Sequence, residues 1–265
     1  MKQEQMSNLN KKSWEHSAYQ AWVNRHGVPI DFAKTITANL QKQISYYLQY
    51  TGNVEKKRII NLLGSKGSKA VAFALMGADV TVVDISESNA QYANELAYES
   101  GVNITYIVSD VLDLPIDIQG FDYVVLELGV LHYFVDLRPL FDTVYKLLKK
   151  GGMFILRDYH PVYSKLIQFQ DGEIKASGNY FDNEIIEEEV VYTSLLSEDE
   201  TNSIPSVRIK RWTLGEIITN LVQSGLQVQS LTEESGPHQK WVFPQDAPTE
   251  TEFKIPGLYT LIAIR

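Results

Sequence analysis

The sequence predicts a doubly wound α/β protein: a mostly parallel sheet with an antiparallel last strand, an N-terminal helical cap and a small inserted lid. Two observations predict it. Short β-branched runs alternate with helical stretches of about 10–15 residues through the middle of the chain, the pattern of right-handed parallel βαβ units. A Gly/Ser/Lys turn follows the first of these runs, and acidic residues stand at the ends of the later ones.

Residues 1–12 are polar with few apolar anchors and read as disordered. Ser13 is placed to cap a helix carrying Tyr19, Trp22 and Val23, which Gly27 and Pro29 break. A second helical face holds Phe32, Ile36, Leu40, Ile44, Tyr47 and Leu48 and closes at Gly52. This aromatic-rich segment, residues 1–52, reads as packing for the core or as a cap over a ligand site, and it can be both.

The α/β core is expected over residues 53–161. Its strands fall at 58–63, 80–83, 104–108, 122–126 and 153–156, with helices at 70–76, from Ser86 to Glu99, and through Lys149 to a stop at Gly151-Gly152. Residues 162–206 alternate weakly and carry turn residues, which suits an inserted hairpin or lid. Residues 207–265 complete the core: Thr213 and Glu216 form a capping box for a helix ending at Gly225, and strands follow at 228–231 and Leu258–Ile264.

The 265 residues carry 33 acids against 24 bases, a formal net charge of −9, which disfavours a nucleic-acid partner and favours small-molecule or protein substrates. The absence of cysteine excludes disulfides, thiolate metal sites and a thiol nucleophile. There is no signal-peptide pattern, no apolar run that spans a bilayer and no histidine spacing that makes a metal site, so a cytoplasmic enzyme is expected.

The chemistry concentrates between Ile59 and Asp84. The turn Leu63-Gly64-Ser65-Lys66-Gly67-Ser68 joins a strand to a helix, so its N–H groups face the place where a nucleotide or carboxylate sits. Asp84 ends the second strand, where a carboxylate accepts hydrogen bonds from ribose hydroxyls; Asp110 and Glu127 end the third and fourth. Each acid alone reads as a loop cap. Three on one sheet edge read as a binding rim.

These residues resemble motif I and its following strand in the class I, Rossmann-like methyltransferases that use S-adenosylmethionine (SAM) and release S-adenosylhomocysteine. In gapless register Asn61 takes the family's acidic position, while Leu63, Ser65 and Gly67 take the three glycine positions with Gly64 displaced by one. Ser109-Asp110-Val111 resembles the adenine-holding segment, and Val130-Leu131-His132-Tyr133-Phe134 the element after strand four. Leu147 to Gly152 and Asp158-Tyr159-His160-Pro161 are similar to the family's passage into and out of strand five. The resemblance implies methyl transfer to a small-molecule acceptor by in-line displacement. It also implies a cofactor site at Asn61, Gly64, Ser65, Gly67, Asp84, Ile85, Asp110, Val111, Glu127 and Leu128, with Tyr19 from the cap.

Because Asn61 lacks a charge and Leu63 and Ser65 add side chains, the turn is expected to differ locally, with Glu127 and the cap aromatics compensating. Lys66 is tolerated only if it points outward or meets the cofactor carboxylate. His160 is the general-base candidate, its alternative being a loop histidine bonding backbone; His132 is expected to cap or pack. The acidic run Glu184, Glu187, Glu188, Glu189 reads as a solvated face, or as a surface for an amine substrate if the lid covers the site. Two other readings stay open: a nicotinamide-dependent oxidoreductase, for which Tyr145 and Lys149 supply a Tyr-x-x-x-Lys pair, and a non-catalytic SAM-binding protein.

Overall fold

A computed structural model describes residues 1–265. Four helices come first: α1 (Gln3–Glu15), α2 (Ala18–His26), α3 (Pro29–Ala38) and α4 (Leu40–Thr51). The core follows as β1 (Arg58–Leu62), α5 (Ser68–Leu75), β2 (Asp79–Asp84), α6 (Glu87–Glu99), β3 (Thr105–Val108), β4 (Phe121–Glu127), α7 (Arg138–Leu147) and β5 (Leu148–Tyr159). The insertion holds β6 (Ile167–Gln170), β7 (Glu173–Ala176), β8 (Ile185–Glu188), α8 (Glu198–Thr201) and β9 (Val207–Lys210). The chain ends with α9 (Leu214–Gln223), β10 (Gln227–Glu233), α10 (Thr251–Lys254) and β11 (Leu258–Ile264).

Seven strands form one sheet in the order β10-β11-β5-β4-β1-β2-β3. Only β11 runs against its neighbours, β5 and β10; the other pairings are parallel. Chain order reverses between β1 and β4, and in open α/β sheets ligands sit at such a switch point, beyond the carboxyl ends of the strands. Two buried clusters, of 26 and 25 residues, cover the two faces. Side chains alternate between them: Ile59 of β1 enters the cluster under α5 and α6, whereas Ile60 and Leu62 enter the one under α7 and α9. That two-sided burial explains why these strands read as continuous apolar runs.

The structure corrects the sequence in three places. Residues 3–15 are helical rather than disordered, because their polar side chains bond backbone elsewhere. Asn10 donates to the Arg208 carbonyl (2.8 Å) and accepts from the Arg208 N–H (2.7 Å), so one amide satisfies the free edge of β9. Gln3 does the same to the Tyr133 carbonyl (3.0 Å) and the Val135 N–H (2.8 Å). Ser13 caps nothing: it is buried inside α1, its hydroxyl 3.2 Å from the Ser206 carbonyl. The long second helix is two, broken at Asn39.

The third correction concerns Gly151-Gly152. The helix ends earlier, at Leu147, and the two glycines form a bulge in β5, whose register against β4 jumps between Phe121 and Tyr123. The insertion is two small antiparallel pairs, β6 with β7 and β8 with β9. The capping box of α9 forms as read, with Thr213 Oγ1 accepting from the Glu216 N–H (3.2 Å) and the Glu216 carboxylate accepting from the Thr213 N–H (2.8 Å).

Gly67 heads α5 with φ +72°, and a Cβ there would stand 2.8 Å from the Ala93 Cβ of α6. Glycine is thus what lets α5 and α6 approach. Gly67→Ala is expected to cost about 2–4 kcal/mol, from a left-handed side chain plus overpacking. Urea unfolding measures it, and Ala93→Gly in the same chain should recover the packing share. An unchanged midpoint would show that the helices do not meet here.

Candidate functional site

The turn after β1 keeps a glycine-like backbone although two of its three glycine positions hold larger residues. Leu63, Ser65 and Gly67 have φ of 48°, 47° and 72°. Leu63 and Ser65 thus carry side chains on left-handed backbone, at about 1–2 kcal/mol for each such non-glycine residue. Gly64 is forced for another reason. A Cβ there would lie 2.7 Å from Val82 Cγ1 and 2.9 Å from Asn61 Oδ1.

Asp84 holds this turn. Its Oδ2 accepts from the Ser65 N–H (2.9 Å), and its Oδ1 accepts from the Ser86 N–H (3.0 Å) and the Asn89 amide (3.2 Å). Burial pushes the carboxyl above its ordinary range, and these donors act in the opposite direction. Asn89 in turn accepts from the Trp22 indole (2.8 Å), which links α2 to the same carboxylate. Glu15, at the end of α1, accepts from the N–H groups of Glu87 (2.7 Å) and Ser88 (3.1 Å) and so caps α6 from outside. The N-terminal helices are therefore bonded onto the rim.

A cavity of about 260 Å³ opens above this rim. Among the residues expected there, Gly64, Ser65, Asp84, Ile85, Asp110, Val111, Glu127 and Leu128 line it together. Three do not. Asn61 shares the face of Ile59, so its amide lies under Gly64, bonded to the Val125 carbonyl at 3.3 Å. Gly67 stands behind the turn against α6. Tyr19 donates to Glu95 (2.5 Å) beside Tyr92 and faces away. In its place α1 and α2 contribute Gln3, Ser7 and Asn10, which the reading of residues 1–12 as disordered hid, together with the cap aromatics Trp14 and Trp22.

Two acids on this cavity behave differently. Asp110 spends Oδ1 on the Leu112 N–H (2.9 Å) and shapes its own loop. Glu127 Oε2 is buried with no hydrogen-bond partner. Burial raises the Glu127 carboxyl to about 7, with the Arg157 charge opposing. Arg157 is itself held by Glu234 through Nε (2.6 Å) and Nη2 (2.6 Å), with the Tyr46 ring 3.9 Å from the guanidinium. Lys66 also lines the cavity, its ammonium 4.4 Å from the Trp22 ring, and burial lowers it to about 8.

A second cavity, about 960 Å³, meets the first at Trp14, Leu128, Gly129 and Tyr133. Between them the chain turns through two left-handed residues, Leu128 (φ 56°) and Gly129 (φ 75°). Asp158 holds that turn by accepting from the N–H groups of Gly129 (2.5 Å) and Leu131 (3.3 Å). Asp158 thus does at β4 what Asp84 does at β1.

The histidines exchange places relative to expectation. His160 lines neither cavity. It is 2% exposed, packs edge-on to Tyr259, accepts from the Val162 N–H (3.1 Å) and lies 2.9 Å from Glu233. Its backbone N–H bonds Gly257, which locks the end of β5 and turns the ring outward from the rim. His132 instead lines the larger cavity, and burial with the Arg211 charge lowers it to about 3, so the ring is neutral near pH 7. The acidic run is largely spent: Glu187 pairs with Arg208 (2.6 Å) and Glu188 with Arg211, both across β8 and β9. Tyr145 and Lys149 make no dehydrogenase-like pair. Tyr145 lies under Arg265, and Lys149 is in β5, 2.6 Å from Asp122 at the opposite sheet edge.

No helix is long and apolar enough to cross a membrane. Residues 63–156 match the family model described as a methyltransferase domain. A demethylmenaquinone methyltransferase of Clavibacter sepedonicus is 31% identical over 107 residues, 40% of this chain and 42% of that one. The chain spans about half the length of the curated relatives it matches. An S-adenosylmethionine dependent methyltransferase structure from Mesorhizobium loti superposes with a TM-score of 0.64 at 24% identity, covering 84% of this chain and 98% of that one. Magnesium protoporphyrin IX methyltransferase from Synechocystis PCC 6803, solved with S-adenosylhomocysteine, gives a TM-score of 0.59 at 15% identity over 98% and 99% of the two chains. Residues 63–156 thus resemble a methyltransferase domain, and the chain carries the Rossmann-like fold seen in SAM-dependent methyltransferase structures.

Proposed function

We propose that this protein moves a methyl group from SAM to a small-molecule acceptor, with SAM in the smaller cavity and the acceptor in the larger. The observation that carries this reading is the unpartnered Glu127 carboxylate oxygen, buried beside the Asp84-braced turn. A buried carboxylate without a donor is costly, and a cationic ligand removes that cost.

The residues present fit the cofactor. Asp84 edges the cavity where a ribose diol is read, and Ser109, Asp110 and Val111 form the wall for a base. Glu127 supplies the negative charge that Asn61 lacks, and Lys66 faces the cavity as a partner for a carboxylate. Bound SAM supplies an electrophilic methyl group on a sulfonium. The protein contributes position and dryness: Trp14 and Tyr133 close the junction of the two cavities, and Asp158 fixes the turn between them. The division into a cap at 1–52, a SAM-binding core at 53–161, a lid at 162–206 and a completing segment at 207–265 belongs to this reading, as does a cytoplasmic setting. The net charge of −9 favours a small acceptor over nucleic acid.

Calorimetric titration tests the assignment. SAM should bind the wild type, and Asp84→Ala should weaken binding by about 100-fold, the loss of two or more hydrogen bonds together with turn geometry. Equal affinity in the two proteins would remove Asp84 from the site.

The Glu127 carboxyl gives a pH signature, since it is raised from 4.5 to about 7. A cation is held by the carboxylate form, so SAM affinity should rise about tenfold in all from about pH 6 to pH 8 and then level. In the unliganded protein the sign reverses. The native state keeps the proton that the unfolded state releases, so this group's stabilising contribution, full below about 4.5, is lost as pH climbs through about 7. Glu127→Gln should flatten the binding profile and stabilise the unliganded protein at alkaline pH. A steep profile that persists in Glu127→Gln assigns the titration to another group.

A further inference from the structure

The larger cavity carries a polar group with nothing to bond. Tyr259, near the start of β11, is fully buried and lines the cavity, and its hydroxyl has no hydrogen-bond partner. A buried hydroxyl without a partner is unfavourable, and a ligand oxygen would relieve that. Burial, with the Asp158 carboxylate nearby, pushes this phenol well above its ordinary range, so it stays protonated and donates. His132 faces the same cavity as a neutral imidazole, an acceptor.

The rest of the lining is rich in aromatic rings, has Ser164, Gln168 and Gln170 as uncharged polar side chains, and offers no spare charge. Trp14, Tyr133, Tyr159, Tyr163, Phe169 and Trp212 supply six aromatic side chains. The Tyr163 hydroxyl is already spent on the Val242 carbonyl (2.9 Å), and the Trp212 indole on the Leu131 carbonyl (3.0 Å). Asp158 is committed to backbone N–H groups, Arg211 and Glu188 neutralise each other, and Glu189 is exposed on the lid. A charged acceptor therefore finds no free counter-charge inside, which argues against the amine substrate that the acidic run suggested. At about 960 Å³ the cavity lies at the upper end of small-molecule sites, roughly 300–1,000 Å³.

Resting on the assignment of this cavity to the acceptor, we propose that the acceptor is a neutral, planar, polycyclic-sized aromatic bearing a hydroxyl group. Tyr259 donates to that hydroxyl oxygen and His132 accepts its proton in a hydrogen bond. Tyr259 and His132 are thus the specificity determinants, and the aromatic walls hold the ring by stacking. A hydroxyl both accepts and donates, which is what this pair of groups requires. A methyl ether or a hydrocarbon of the same shape leaves one or both unpaired and is rejected, as sites built around a hydroxyl reject analogues that lack it.

The test is equilibrium dialysis of 2-naphthol and 2-methoxynaphthalene against the full chain, alone and with S-adenosylhomocysteine, in the wild type, Tyr259→Phe and His132→Leu. The wild type should bind 2-naphthol at least tenfold more tightly than its methyl ether. Tyr259→Phe should weaken 2-naphthol and its methyl ether alike, at least threefold each, because both oxygens accept from the Tyr259 hydroxyl, with S-adenosylhomocysteine affinity unchanged. The melting temperature separates recognition from a structural role: removing an orphan hydroxyl leaves the unliganded protein as stable or more stable. His132→Leu should abolish the preference, because only the naphthol hydroxyl can donate to the imidazole, which keeps the test independent of one variant. No naphthol binding to the wild type, equal binding of the two ligands, unchanged binding in Tyr259→Phe, or a preference that survives His132→Leu would overturn the proposal. Loss of S-adenosylhomocysteine binding with an intact naphthol preference would instead refute the cofactor assignment.

Discussion

The Asp84 carboxylate is the constraint on which the site depends. Three donors from three places converge on it: the Ser65 N–H from the turn after β1, the Ser86 N–H from the start of α6, and the Asn89 amide from within α6. Through Asn89 it also reaches Trp22 of the N-terminal helices. One buried acid thus fixes the loop, the second strand's exit and the cap relative to each other. Its burial is tolerable because both of its oxygens accept hydrogen bonds, whereas an unsatisfied buried charge would cost more than it holds.

This bracing explains how the turn survives without its glycines. Left-handed backbone at Leu63 and Ser65 is unfavourable locally, and nothing in those side chains asks for it. The conformation is imposed from outside, by the Asp84 bond to the Ser65 N–H and by Gly64 pressing on Val82 and Asn61. Strain held this way, at a cavity wall, is what surrounding structure can over-determine. The neighbouring turn at Leu128 and Gly129 repeats the device, with Asp158 as the brace. Two acids on adjacent parts of the rim each pin a left-handed turn, and the two cavities meet at the second of these turns.

Much of this was legible in residue patterns, and the failures share a cause. Strand positions, the α9 capping box and the antiparallel Leu258–Ile264 follow from short-range periodicity, which is local information. The acids at strand ends were legible because sheet geometry aligns them on one edge. The helix over residues 3–15 was not legible, since its stability lies in Asn10 and Gln3 bonding backbone some 200 and 130 positions away. His160 and His132 were exchanged for a related reason. Both follow strand ends, but which ring faces the cavity depends on pleat and on the Gly257 contact, and neither is written in spacing. Asn61 was misplaced by the same period-two rule, since a strand residue sharing the face of Ile59 goes into the helix layer. Charge on the lid could be counted but not its pairing, which depends on the β8–β9 register.

The central claim is that the cavity over Asp84 and beside Glu127 is a SAM site. Thermal unfolding of the intact chain with saturating SAM, S-adenosylhomocysteine or NADP, each alone, tests it directly, because a ligand that binds only the native state raises the midpoint. The account requires a rise with SAM and with S-adenosylhomocysteine and none with NADP. A rise with NADP alone would contradict it and return the rim to nucleotide chemistry of another kind.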